Sequence, residues 1–154
     1  MTRLAVAIST FFGCGYFPKG PGTAGSLAGL AIVVVLHRFF GLDRVGLLCL
    51  TAAVTPIGIW SATRTARSLK RKDPGLVVID EVLGQWVTLL GAAAWDWKTY
   101  LAGFVLFRLF DIWKPQPVRL AESLPEGIGI VADDLMAGIY GALILYIGAQ
   151  LRLY

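Results

Sequence analysis

The sequence predicts an all-α membrane protein, a polytopic helical bundle with four or five transmembrane helices. Of its 154 residues, 56% are hydrophobic and only 16% are charged, whereas about 25% of the residues in an ordinary soluble domain are charged. The mean hydropathy is +0.69. One membrane crossing takes roughly 20 apolar residues. The composition therefore argues against a soluble monomer, a disordered chain or a disulfide scaffold, and the length leaves one domain over 1–154.

Five apolar stretches account for the predicted helices. Three of them contain no Asp, Glu, Lys or Arg, and each is close to the length of one crossing. The other two are interrupted by charge, one by Asp80 and Glu81, the other by Arg108 and Asp111. The predicted helices cover residues 24–38, 45–63, 76–95, 99–113 and 134–151.

A segment rich in glycine and proline precedes the first of these helices. Residues 13–26 read GCGYFPKGPGTAGS, a composition that argues against a regular helix. We predict that the N-terminal segment re-enters the membrane or lies on its surface, and the sequence leaves open whether residues 4–17 span it instead. Its end leads into a helix N-terminus, where backbone N–H groups and the helix dipole favour an anion. Thr23 and Ser26 are open to a second interpretation, in which they only cap that helix.

The basic residues orient the predicted helices. If the chain crosses at each helix, eight Lys and Arg residues fall on one side and four on the other, and the positive-inside rule makes the richer side cytoplasmic. The eight are Lys19, Arg64, Arg67, Lys70, Arg71, Lys72, Lys114 and Arg119. The dense cluster at 64–72 lies between apolar runs, so it indicates a loop that faces anionic lipid and not a nucleic-acid partner.

Half of the ten acidic residues fall on that same side, at predicted helix ends. They are Asp80, Glu81, Asp111, Asp133 and Asp134. An acidic side chain in or beside a bilayer costs several kcal/mol unless it is paired or hydrated, so such residues usually mark a site. Structural alternatives stay open for two pairs. Arg108 and Asp111 can form a neutral ion pair, and Asp133 and Asp134 can be carboxylates favoured by a helix N-terminus.

Carboxylates from several helix ends are hard oxygen ligands that suit Mg²⁺, Ca²⁺ or Mn²⁺ better than zinc. Cations near them can hold phosphate oxygens, and metal ions can polarise a phosphate. This combination at a cytoplasmic membrane face favours phosphoryl chemistry on a lipid head group. The single His37 excludes phosphatases that need two catalytic histidines. Cys14 and Cys49 lie in apolar sequence and indicate small core residues.

Four segments resemble the phosphatidylglycerophosphatase A family, in the family's order and over nearly the whole chain. They are FGCGYFPKGPGTAGSLAG (12–29), DEVLGQWVTL (80–89), FRLFDIWKPQPVR (107–119) and GIGIVADDLMAGIY (127–140). The resemblance implies an all-α, Mg²⁺-dependent, multi-pass enzyme of the bacterial inner membrane with its active site facing the cytoplasm. It also implies removal of the terminal phosphate from phosphatidylglycerophosphate, which gives phosphatidylglycerol and inorganic phosphate.

These arguments together select the candidate site residues. The catalytic candidates are Asp80, Glu81, Asp111 and Asp134. The candidate Mg²⁺ ligands are the same four residues with Asp133. The candidate phospholipid-binding residues are Lys19, Thr23, Arg108, Lys114 and Arg119.

Three questions stay open at this point. Direct attack by water fits better than a covalent intermediate, but an aspartyl-phosphate at Asp80, Asp111 or Asp134 is an alternative. The substrate can be another lipid phosphomonoester, such as phosphatidate. A small non-enzymatic transporter is less consistent, because the acidic residues cluster at one interface and the chain has no internal repeat. The sequence leaves the oligomeric state undetermined.

Overall fold

The computed structural model describes residues 2–152, and all regular elements in that range are helical. This confirms the all-α prediction for the described part of the chain. The α-helices are α1 (Thr2–Ser9), α2 (Pro21–Phe40), α3 (Arg44–Leu69), α4 (Ile79–Leu89), α5 (Trp97–Trp113), α6 (Val118–Ala121) and α7 (Glu126–Gln150). A short 3-10 turn covers Cys14–Tyr16.

Three helices are long and apolar enough to cross a membrane. They are α2, α3 and α7, with 20, 26 and 25 residues. The stretches between α3 and α7 form shorter helices, since α4 has 11 residues and α5 has 17. A count of four or five crossings therefore stays a prediction. The outer face of α5 is nonetheless apolar, with Leu101, Val105 and Leu109 each more than half exposed, as expected of a helix in contact with lipid.

Helix α4 lies at the centre of the bundle and is shorter than the predicted helix over 76–95. Nine of its 11 residues are buried, and it packs against α2, α3, α5 and α7. Before it, the chain is not helical, because the N–H of Val78 donates to the carbonyl of Ser9 in α1 at 2.8 Å. After it, a turn begins at Gly91, whose backbone lies against Ala142 of α7. Long-range contacts thus determine both ends of α4.

Helices α4 and α7 approach each other closely. A Cβ atom on Gly84 would lie 2.6 Å from the backbone oxygen of Asp134, so no larger residue fits there without displacement. One turn further along, the Thr88 hydroxyl donates to the carbonyls of Gly84 and Gly138, at 3.1 and 3.3 Å. This approach brings the first turn of α4 next to the middle of α7.

Helix α2 begins earlier than expected, at Pro21, so the prediction that residues 13–26 contain no regular helix is wrong for their last part. Gly20 precedes the helix with φ 74°, a left-handed conformation that glycine adopts without strain. Pro21 follows at the first helical position, where its missing N–H has no cost. Whether the preceding residues re-enter the membrane stays a prediction. They include α1, which is tied to α3 by a buried hydrogen bond of 2.8 Å between the Ser9 and Thr65 hydroxyls.

Helix α7 also begins earlier, at Glu126 instead of 134. Asp133 and Asp134 therefore lie two turns inside the helix, and their interpretation as N-terminal carboxylates is wrong. Hydrogen bonds with side chains of α3 hold the start of α7 in place. The N–H of Gly127 donates to the Thr63 hydroxyl at 3.1 Å, and Arg67 donates two hydrogen bonds to the Glu126 carboxylate, at 2.8 and 2.7 Å.

Candidate active site

Three predicted acidic residues converge between α4 and α7. Asp80 and Glu81 come from the first turn of α4, and Asp134 comes from the third turn of α7. Each offers one carboxylate oxygen, and these three oxygens lie within 4.8 Å of one another. Asp80 is 8% exposed and Asp134 is 3% exposed. We call Asp80, Glu81 and Asp134 the acidic triad.

The acidic triad is incompletely satisfied by the protein. Asp80 Oδ1, Glu81 Oε2 and Asp134 Oδ2 are buried and have no hydrogen-bond donor among the described residues. A buried carboxylate without a partner is costly, whereas a cation at the same place compensates its charge. Three carboxylate oxygens form a hard donor set of the kind that Mg²⁺, Ca²⁺ and Mn²⁺ prefer. The donor set therefore fits a divalent cation of this class.

Asp111 borders the acidic triad from α5. Its Oδ2 lies 2.6 Å from Arg108 Nη1, and both side chains are largely buried. The charge of Asp111 also acts on the Asp134 carboxyl of the triad. The ion pair with Arg108 is thus compatible with a role for Asp111 beside the triad.

Asp133 points to a different neighbour. Its Oδ2 accepts a hydrogen bond of 2.7 Å from Lys114 Nζ, and its Oδ1 accepts one from the N–H of Asp134 at 3.0 Å. Lys114 also lies 3.4 Å from Glu122. Burial alone would lower the pKa of Lys114, but the hydrogen bond and charge of Asp133, with Glu122, outweigh it and raise the pKa. Lys114 is therefore a charged group that Asp133 already partly neutralises.

The first turn of α2 contacts the same place. A Cβ on Gly22 would overlap Glu81 Oε1 and would lie 3.1 Å from Arg108 Nη1. The first N–H groups of a helix have no partner inside it, and they carry the positive end of the dipole. Neither Thr23 nor Ser26 caps this helix, because the N-cap is Gly20 without a side-chain bond and the Ser26 hydroxyl donates to the Gly22 carbonyl. The capping interpretation is therefore wrong for both.

Two predicted phosphate ligands lie apart from this centre. Lys19 precedes α2 and Arg119 lies on α6, and both are exposed. Within residues 2–152, neither side chain forms an ion pair or a hydrogen bond. They can meet a ligand only at the outer edge of the site.

The structure adds two residues that sequence reasoning missed. Asp73, interpreted from sequence only as part of a turn, has a raised pKa. Although the residue is exposed to solvent, partial desolvation by the chain around its carboxyl is the main cause, the negative charges of Glu122 and Asp111 add to it, and Lys114 opposes it. Gln85 is fully buried in α4, four residues after Glu81. The only sequence signal for Gln85 is a polar residue one helical turn from an acidic one in an apolar run.

Comparisons with known proteins agree on one family. The family model of phosphatidylglycerophosphatase A matches residues 7–149. The Escherichia coli K12 protein named phosphatidylglycerophosphatase A is 38% identical over 136 residues, which are 88% of this chain and 77% of that protein. The protein of that name from Haemophilus influenzae Rd is 37% identical, over 88% of this chain and 82% of its own.

A Bacteroides thetaiotaomicron protein, provisionally named phosphatidylinositol-3-phosphatase, is 40% identical over 149 residues. The match covers 92% of this chain and 91% of that protein. No solved structure matches the chain significantly.

Proposed function

Because the chain belongs to the phosphatidylglycerophosphatase A family, we propose that it hydrolyses phosphatidylglycerophosphate to phosphatidylglycerol and inorganic phosphate. Family membership makes it a lipid phosphatase, a phosphoric monoester hydrolase. The observation that carries the proposal is the acidic triad, with three unpartnered buried oxygens beside Arg108 and the first turn of α2. The product is a phospholipid, so the reaction serves phospholipid biosynthesis.

Asp80, Glu81 and Asp134 would hold Mg²⁺, with Asp111 next to them and Asp133 as an outer residue. Bound Mg²⁺ supplies Lewis-acid polarisation of phosphoryl oxygens. The chain supplies the rest of the charge pattern. Arg108 and the free N–H groups at the start of α2 would bind the phosphomonoester, with Thr23 in the same turn. Lys114, Lys19 and Arg119 would attract the phosphodiester at the edge of the site.

In the reaction, a water oxygen forms the new bond to phosphorus and the bond from phosphorus to the glycerol oxygen breaks. A carboxylate of the site accepts a proton from the attacking water and returns it to the glycerol oxygen, which leaves as a hydroxyl. In the alternative covalent route, Asp80, Asp111 or Asp134 attacks first. Labelled phosphate retained on acid-quenched enzyme would indicate that route.

The test is phosphate release from a panel of lipids in mixed micelles, with Mg²⁺ and with excess EDTA. The panel contains phosphatidylglycerophosphate, phosphatidate and phosphatidylinositol-3-phosphate. We expect Mg²⁺-dependent release with the highest kcat/KM for phosphatidylglycerophosphate. Equal release in EDTA would refute the metal dependence.

A second candidate substrate follows from the relative that is 40% identical and provisionally named phosphatidylinositol-3-phosphatase. Preference for that inositol lipid in the same panel would support this alternative. Ion flux in liposomes without phosphate release would instead support a transporter.

We further propose that the protein lies in the bacterial inner membrane with its site facing the cytoplasm. The basic residues at 64–72 lie at the end of α3, and Arg67 among them pairs with Glu126 at the start of α7. The positive-inside rule places this basic end in the cytoplasm. The site lies toward the same end of α7, which supports a cytoplasmic orientation. In a protein whose Cys14 and Cys49 are replaced by Ser, a cysteine introduced at Lys70 should react with a membrane-impermeant thiol reagent in inverted vesicles and not in intact spheroplasts. The opposite pattern would reverse the orientation.

A further inference from the structure

Gln85 is a buried polar side chain outside the acidic triad that lacks hydrogen-bond partners. It is 0% exposed, and neither its Oε1 nor its Nε2 has a partner among the described residues, as is also the case for the Thr99 hydroxyl at the start of α5. A carboxamide buried in this way loses its hydrogen bonds to water and gains none in return, which is unfavourable. The neighbouring residue on the same face, Thr88, shows the usual behaviour, since its hydroxyl has two carbonyl acceptors.

Packing does not account for a glutamine at this position. Apart from Thr88, whose hydroxyl has carbonyl acceptors, the other fully buried side chains of α4 are apolar, among them Val82, Leu83 and Leu89. Methionine has nearly the length of glutamine and no strong hydrogen-bonding group, so it would fill the same space without the cost. The carboxamide therefore points to a hydrogen bond that forms when the neighbouring site is occupied.

The position of Gln85 identifies the neighbouring group. Residues four apart on a helix lie on one face, with Cβ atoms about 5–6 Å from each other, so Gln85 lies directly below Glu81. Helical side chains also lean toward the N-terminus, over the preceding turn. The Gln85 side chain thus extends toward the turn that holds the acidic triad. Glu81 Oε2, on that turn, is itself buried and without a donor.

We propose that Gln85 is a positioning residue for the acidic triad. When a divalent cation is bound, the Gln85 Nε2–H group donates to the Glu81 carboxylate and holds it in the orientation that faces Asp80 and Asp134. Carboxylates that bind metals are usually fixed by such outer hydrogen bonds. This inference rests on the proposed function, because it assumes that the triad binds a divalent cation.

The test measures the binding of Mn²⁺ alone to the purified full-length protein in detergent, by electron paramagnetic resonance. The variants are Gln85→Leu, with Gln85→Met as a second apolar replacement, and Thr88→Val is the matched control on the same helix. We expect Mn²⁺ affinity to fall about 10- to 100-fold in both Gln85 variants and to stay near wild type in Thr88→Val.

The unfolding temperature in EDTA separates a positioning role from a structural one. If Gln85 only stabilised the fold, its replacement would lower this temperature. We expect Gln85→Leu to unfold at the same or a higher temperature than wild type, because it removes an unsatisfied buried amide. Wild-type Mn²⁺ affinity in the folded Gln85 variants would overturn the inference, and so would an equal loss in Thr88→Val. If the wild-type protein itself does not bind Mn²⁺, the metal part of the proposed function fails instead.

Discussion

We predict that the variant Asp134→Asn is more stable than wild type without metal and less active than wild type with Mg²⁺. Replacement of Asp134 by Asn keeps the shape of the side chain and removes its charge. Two unit charges at 4.8 Å, the largest separation within the triad, repel each other by about 3.5 kcal/mol at an effective dielectric constant of 20. Without metal, the variant loses the repulsion of Asp134 toward Asp80 and Glu81. Its metal-free form should therefore be more stable than metal-free wild type.

We therefore expect metal-free Asp134→Asn to unfold at a higher temperature than metal-free wild type. A gain of 1 kcal/mol corresponds to about 2–4 °C for a chain of 150–250 residues. Added Mg²⁺ should stabilise the variant less than wild type, and Mg²⁺-dependent phosphate release should fall by about 10²-fold or more. The assays are thermal unfolding in detergent with EDTA or Mg²⁺, and phosphate release in mixed micelles.

The matched control is Asp96→Asn, which changes the same residue type at the N-cap of α5, where Asp96 accepts a hydrogen bond from the N–H of Thr99. Asn caps a helix about as well as Asp, so this variant should behave as wild type in every assay. The reasoning would be refuted if folded Asp134→Asn, and likewise Glu81→Gln, released phosphate at the wild-type rate in Mg²⁺. It would also be refuted if metal-free Asp134→Asn unfolded at a lower temperature than metal-free wild type.

Two further predictions concern the surroundings of the triad. Gly22→Ala should strongly reduce phosphate release and destabilise the fold by about 1–3 kcal/mol, because the new Cβ overlaps Glu81 and crowds Arg108. The control is Gly75→Ala, whose Cβ would meet nothing within 4 Å. This control should match wild type in both phosphate release and stability. Lys114 has a raised pKa, so its contribution to stability is complete below its unfolded pKa of about 10.4 and declines as the pH rises through the folded value. Wild type should therefore lose more stability than Lys114→Met as the pH rises above about 10. The measurement is the free energy of unfolding in urea at several pH values. Equal losses in wild type and Lys114→Met would contradict this prediction.

The sequence predicted which acidic residues lie close together better than it predicted the helix boundaries. Asp80, Glu81 and Asp134 could be expected to meet because they interrupt apolar runs at ends that the charge pattern places together. The start of α7 could not be expected, because EGIGI resembles a loop by local propensity. In the structure, its glycine Gly127 packs against Ile59 and Thr63 of α3, and such tertiary contacts override propensity.

The sequence also did not predict which way individual side chains point. Asp133 and Asp134 are adjacent, and successive residues on a helix point about 100° apart, so only one of them faces the triad. The sequence alone does not tell which. The surroundings of Asp73 could not be predicted either. Its electrostatic interactions with Lys114 and Glu122 depend on the path of the loop between α3 and α4.

The early start of α7 has a consequence for how substrates are told apart. Asp134 lies eight residues after Glu126, so it is about 12 Å along the helix from that first residue, at 1.5 Å per residue. In the proposed orientation, a lipid phosphate that approaches along the start of α7 must pass about this distance along the helix to reach the carboxylates. In phosphatidylglycerophosphate the reactive phosphate is carried on a phosphoglycerol arm, whereas in phosphatidate it is attached directly to the diacylglycerol. We expect this separation to favour lipids with the longer head group.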